Sequence, residues 1–205
     1  MIGKWNKSVI VTYVGMLLSV ASMFLLMAGL NRFAMMCFMG AGICDLFDGT
    51  IARMCKRTEE EKSFGIQLDS LVDVVSFIAL PVVLLITVCG VKWYSVTACA
   101  LYVLFGVCRL AYFNVCQEEN GDKDSPVKYY TGLPVTYAAM IFPLLYLSSI
   151  WLDIAVTGYI LCAAMAVMAV LFVMKIKFIK PGKKGYIFLM LLAVALFTVY
   201  IVCVR

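Results

Sequence analysis

Four aspartates stand out in a chain that is otherwise close to continuous apolar sequence: Asp45, Asp48, Asp69 and Asp73. The first two are three residues apart and the last two are four apart, so on helices each pair shares one face. Both pairs border a short charged stretch, residues 55–63, so two helix ends joined there bring all four to one depth. Four carboxylates gathered away from water cannot all stay ionised without compensation. Either most of them are protonated or cations sit among them. Hard divalent cations, which prefer oxygen ligands, are the natural compensators, especially where a diphosphate shares the coordination. The chain has no histidine, so metal ligation and proton transfer both rest on carboxylates.

The elements that position these groups are membrane spans. A chain of 205 residues that is 64% hydrophobic, with a mean hydropathy of +1.01, is not an ordinary soluble domain. The expected fold class is all-α, a polytopic integral membrane helix bundle. Seven spans are expected, at about 8–30, 33–54, 65–89, 93–116, 132–150, 154–174 and 185–204. The chain start carries no cleavage-site pattern, so the first span reads as retained. Asn31-Arg32 and residues 90–92 make very short connections, which implies antiparallel hairpins. Nine cysteines are scattered through apolar runs without a CxxC pair and read as small apolar fillers.

Basic residues orient the bundle. With the N-terminus cytoplasmic, 13 of the 17 basic residues fall inside: Lys4, Lys7, Arg53, Lys56, Arg57, Lys62, Lys123, Lys128, Lys175, Lys177, Lys180, Lys183 and Lys184. Only Arg32, Lys92 and Arg205 fall outside, and Arg109 lies within a span. The expectation is N-in and C-out, with the carboxylate site opening to the cytoplasm. The five lysines at 175–184 serve as a topology determinant that also attracts anionic lipid.

Around the aspartates, Gly49 and Ala52 lie on or beside the face of Asp45 and Asp48, and Gly65 stands four residues before Asp69. Small residues there let a flat ring or a phosphate approach the backbone; the competing reading is helix packing. The run Glu59-Glu60-Glu61 reads as a solvated turn. Arg109, about two turns inside its span, either pairs with a carboxylate, binds an anion, or snorkels to lipid phosphate. Asn114 follows five residues on, and Gly132-Leu133-Pro134 reads as a turn into the fifth helix.

Asp45-x2-Asp48-Gly49-x2-Ala52-Arg53, followed by Gly65-x3-Asp69-x3-Asp73, resembles the signature of the CDP-alcohol phosphotransferase family. Eleven residues separate Arg53 from Gly65 where the family usually has eight, and the extra three are expected to lengthen a hydrophilic turn. LDSLVDVVSF at 68–77, RLAYFN at 109–114, YYTGLPVTYAA at 129–139 and KIKF at 175–178 are similar to its serine-specific branch. That branch usually has a second basic residue where Tyr112 stands and an Asn in the first span, which VTYVGMLL lacks. The likeness covers roughly residues 8–184, so the expected organisation is a six-span domain at 1–184 plus an added C-terminal span at 185–205 with no assigned chemistry.

The resemblance implies transfer of a phosphatidyl group from CDP-diacylglycerol to L-serine, with release of CMP. It implies one or two Mg²⁺ or Mn²⁺ ions held by Asp45, Asp48, Asp69 and Asp73, with Asp73 also the general base. Donor contacts fall to Asp45, Gly49, Ala52, Arg53 and Gly65, and acceptor contacts to Arg109 and Asn114. Membrane lipid is the other partner, a homodimer is the expected assembly, and nucleic acid is not expected. Glycerol-3-phosphate or inositol phosphate as acceptor, or a cation transporter in place of an enzyme, stay as alternatives. Against a transporter, the acidic residues do not cross the membrane, and no inverted repeat is visible.

Overall fold

A computed structural model describes residues 9–119, 129–179 and 183–203. Lys4, Lys7, Lys123, Lys128, Lys180 and Arg205, which carry part of the orientation argument, lie outside the described residues. The elements run α1 (Ile10–Met27), α2 (Asn31–Met54), α3 (Glu59–Asp73), a π-helical stretch (Val74–Ala79), α4 (Leu80–Cys89) and α5 (Trp93–Glu119). They continue with β1 (Tyr129–Thr131), a 3₁₀ turn (Val135–Tyr137), α6 (Ala138–Tyr146), a second 3₁₀ turn (Leu147–Ile150), α7 (Ile154–Val173), β2 (Lys177–Ile179) and α8 (Lys183–Cys203).

This is a helix bundle whose spans follow the expected order. Five helical stretches are long and apolar enough to cross a membrane, among them the continuous unit Glu59–Cys89, and two shorter apolar ones cover Val135–Ile150 and Leu189–Val202. The fifth span is a composite because Pro143 sits inside α6 and its last turns tighten into 3₁₀ geometry. The one sheet among the described residues is the antiparallel β1–β2 ribbon, pairing Tyr130 with Phe178.

Large side chains such as Leu17 and Phe24 on α1 point outward, while its buried positions are Thr12, Gly15, Ser19, Ser22 and Leu26. That 3-4-3-4 spacing is one small-residue stripe, which lets α1 approach α2 closely. A Cβ added to Gly15 would lie 3.1 Å from the Cβ of Cys44. The stripe's hydroxyls are satisfied internally, as a lipid environment demands. Ser19 Oγ donates to Ser76 Oγ at 2.7 Å, and Ser22 Oγ donates to the Ala34 carbonyl at 2.7 Å.

Two connections differ from expectation. The first hairpin turns at residues 28–30, with Gly29 at φ 76°, and Asn31-Arg32 already belong to the first turn of α2. The second concerns the charged loop. Residues 59–64 are helical, so the loop shrinks to 55–58, and the three extra residues extend α3 where a longer hydrophilic turn was expected. The cause is local. Thr58 Oγ1 accepts from the Glu61 N–H at 3.2 Å, and the Thr58 N–H donates to Glu61 Oε2 at 2.9 Å, a complete capping box. Glu59, Glu60 and Glu61 then sit in the first turn, where the helix dipole favours negative charge.

The π-helical stretch begins directly after Asp73 and resets the helix face that follows. Pro81 offers no N–H to the Phe77 carbonyl four residues earlier, and Tyr102 Oη on α5 donates to that carbonyl at 2.7 Å. The turn at Gly132 is as expected: its φ is 77°, its N–H donates to the Ile176 carbonyl at 2.9 Å, and an added Cβ would strike the Phe172 carbonyl oxygen at 2.6 Å. This pins the entry to α6 onto the end of α7.

Candidate active site

α2 and α3 are joined by four residues, and the pairs Asp45–Asp73 and Asp48–Asp69 bring the C-terminal half of α2 against the C-terminal end of α3. The result is a carboxylate cluster. One oxygen from each of Asp45, Asp48 and Asp69 lies within 4.8 Å of the others. Asp73, one turn beyond Asp69, is 8% exposed and meets Asp45 side chain to side chain. Asp48 meets Asp69 in the same way. Asp73 Oδ1 is buried and accepts no hydrogen bond among the described residues.

This donor set fits a hard divalent cation. All the ligating atoms are carboxylate oxygens, they lie close together, and one buried oxygen has no other partner. Paired buried carboxylates without a compensating positive charge are costly, and a cation removes that cost.

A cavity of about 290 Å³ opens over the cluster. Asp45, Asp48, Asp69 and Asp73 lie at its polar end together with Gly49, Arg53 and Arg109. Arg109 reaches the site from α5; it is 8% exposed, its guanidinium lies over the Phe113 ring at 5.2 Å, and it acts electrostatically on Asp45 and Asp73. Of the three sequence readings for Arg109, the buried one next to carboxylates matches this position, and a snorkelling side chain does not. A Cβ on Gly49 would meet nothing within 4 Å, so the backbone there faces open space.

The remaining predicted residues stand further off. Ala52 and Gly65 do not line the cavity, and Gly65 faces the Arg57 side chain, 3.7 Å from an added Cβ. Asn114 is also outside the lining; Ser70 Oγ donates to its Oδ1 at 2.9 Å, which ties α5 to α3 beside Asp69. Sequence reasoning missed Thr12. Its Oγ1 donates to Asp48 Oδ2 at 3.1 Å from α1, a third helix. The available signal was its place on the small-residue stripe, where a hydroxyl away from water needs an internal partner. Thr136 and Tyr137 at the start of the fifth span, and Leu189, Met190 and Ala193 on α8, also line the cavity and were not anticipated.

Fold and site together define an integral membrane helix bundle with an acidic, cation-fitting cluster at the joined ends of two spans. The model of the CDP-alcohol phosphatidyltransferase family matches residues 5–174, and the chain belongs to that family. Among known proteins it is similar to the CDP-diacylglycerol–serine O-phosphatidyltransferase of Saccharomyces cerevisiae, 34% identical over 113 residues, covering 53% of this chain and 40% of the relative. The enzyme of the same name from Helicobacter pylori strain J99 is 32% identical over 114 residues, 54% of this chain and 45% of the relative. The archaetidylserine synthase of Methanothermobacter thermautotrophicus is 31% identical over 129 residues, 62% of this chain and 52% of the relative. The chain spans about half the length of the curated relatives it matches.

Proposed function

We propose that this protein is a CDP-diacylglycerol–serine O-phosphatidyltransferase, moving the phosphatidyl group of CDP-diacylglycerol to L-serine. The observation that carries the reading is the cavity that joins a cation-fitting carboxylate cluster to a buried Arg109. The names of the relatives, two serine phosphatidyltransferases and an archaetidylserine synthase, support serine as the acceptor.

Asp45, Asp48 and Asp69, with Asp73, would hold one or two Mg²⁺ or Mn²⁺ ions. When bound, such ions neutralise the charge that develops on the diphosphate and make CMP a better leaving group. Gly49 and Arg53 flank the donor's nucleotide end, with Ala52 and Gly65 at its margin. Asp73 takes the proton of the serine hydroxyl. The freed oxygen attacks the phosphorus that carries diacylglycerol; a new P–O bond forms, the bond to the bridging oxygen breaks, and its electron pair leaves with CMP. No nucleophilic Cys or Ser is needed, so the transfer is a single displacement.

Arg109 receives the serine carboxylate, a match of a planar fork to a planar anion. Asn114, held by Ser70, is the second acceptor-side residue. The site opens to the cytoplasm, where nucleotide-linked donors and free serine are made, and the N-terminus lies on the same side; the distribution of basic residues supports this. A homodimer is the assembly that the family resemblance supports.

The test is a product assay. The purified chain in vesicles containing CDP-diacylglycerol, given labelled serine and Mg²⁺ or Mn²⁺, should yield phosphatidylserine and CMP in equal amounts. A chelator should stop both products and restored metal should bring them back. CMP release without a serine-containing lipid, or full activity in chelator, contradicts the reading.

A further inference from the structure

The family match ends at residue 174, before α8 begins. Yet α8 is built into the bundle. It packs against α2 and α6, and Tyr200 Oη, fully buried, donates to the Pro143 carbonyl at 2.7 Å. One stripe faces inward, made by Leu189, Ala193, Leu196 and Tyr200, at spacings of four, three and four. Its lower half, Leu196 and Tyr200, belongs to the hydrophobic core. Its upper half does not end in core: Leu189 and Ala193, with Met190 beside them, line the carboxylate cavity. The cavity is therefore amphipathic. The α2 and α3 carboxylates form one end, and α8 adds an apolar wall alongside Met140 of α6.

We infer that this stretch of α8 is a binding surface for the apolar, lipid part of a lipid-linked diphosphate donor, and that Ala193 and Met190 set how that part fits. The inference rests on the proposed donor class and deepens it. A nucleotide and a serine bring polar groups that need hydrogen-bonding partners, and Leu189, Met190 and Ala193 have none to give. The glycerol and first acyl carbons of the donor bring apolar surface, which gains by burial against such side chains. They also have to lie next to the diphosphate, because they are bonded to it. Ala193 is the small residue of the wall and is buried. Because Ala193 is buried in the cavity wall, a larger side chain there takes up cavity space.

Two variants and three ligands test this. Ala193→Leu shrinks the cavity along the wall, and Met190→Ala enlarges it. For each, KM for CDP-diacylglycerol, KM for L-serine, and inhibition by CDP, which carries the nucleotide diphosphate without lipid, are measured on the purified chain in mixed micelles. Ala193→Leu should raise the donor KM about tenfold, the loss expected from overpacking one well-fitted contact. Met190→Ala should raise it about threefold through lost apolar contact. The serine KM and the inhibition constant of CDP should stay within about twofold, because neither ligand reaches the wall. Should Ala193→Leu fail to accumulate, Met190→Ala decides alone. A donor KM that does not move, or a CDP inhibition constant that rises in parallel, overturns the inference. Absence of CMP release from the unaltered protein fails the proposed function instead, so the two failures are distinguishable.

Discussion

Thr12 on α1 donates a 3.1 Å hydrogen bond to Asp48 on α2, inside the bundle. The hydroxyl fixes one oxygen of a carboxylate whose neighbours are Asp45 and Asp69. Such supporting bonds orient metal ligands, and their loss typically costs about 10–100-fold in metal affinity. Thr12→Val keeps the shape and removes the donor, so it should weaken Mn²⁺ binding by about tenfold or more, read by electron paramagnetic resonance of the free ion. Thr12→Ser should restore binding. Equal affinity in all three proteins would mean the hydroxyl only fills space.

The carboxylates are separable by an isosteric change. Asp45→Asn and Asp69→Asn keep the shape of the side chain and lose the charge. Each should abolish nearly all CMP release and should bind Mn²⁺ more weakly in the same resonance assay. Activity near that of the unaltered protein in either variant would remove that residue from the site.

Two glycines on α2, both lining the cavity, differ in what stands beside them. An added Cβ at Gly42 would lie 2.5 Å from the Cβ of Ala139 on α6, whereas at Gly49 it would meet nothing within 4 Å. Gly42→Ala should therefore lower thermal stability, with a cost of about 1–3 kcal/mol from forced separation of α2 and α6. Gly49→Ala should not lower the unfolding midpoint, since alanine favours the helix, and should raise the donor KM. A lowered midpoint at Gly49 without a KM change would assign it to packing.

The orientation proposed from the pattern of basic residues can be tested apart from the chemistry. A reporter at residue 60 should be cytoplasmic and one at residue 152 external. Finding both on the same side would break the span order between α3 and α7.

Much of this protein was legible because membrane helices must satisfy simple length and polarity rules. Seven apolar stretches and two aspartate pairs at helical spacing are visible in one dimension, and the turn at Gly132-Leu133-Pro134 follows from residue type. The capping box at Thr58 and Glu61 was equally visible, but the glutamates beside it suggested solvent rather than the start of α3. Other features exist only after folding. The Thr12–Asp48 bond joins residues 36 apart, and nothing in the apolar run of α8 distinguishes the wall residues at 189–193 from the lipid-facing ones. The π-helical stretch after Asp73 is marked in the sequence only by the Pro81 that follows it, and the partners that meet its Ser76 and Phe77, Ser19 and Tyr102, come from α1 and α5.

Serine-specific transfer at the Asp cluster, with Arg109 reading the acceptor as proposed, is open to a single decisive assay, an acceptor panel. With CDP-diacylglycerol and Mn²⁺ or Mg²⁺, CMP release is measured with L-serine, ethanolamine and glycerol-3-phosphate, for the unaltered protein and for Arg109→Lys. Release with L-serine is expected, with strong rejection of ethanolamine, which has no carboxylate for the Arg109 fork to receive. Arg109→Lys keeps a charge and loses the bidentate fork, so serine use should fall while donor KM stays nearly unchanged. Equal CMP release with ethanolamine or glycerol-3-phosphate would contradict the serine assignment.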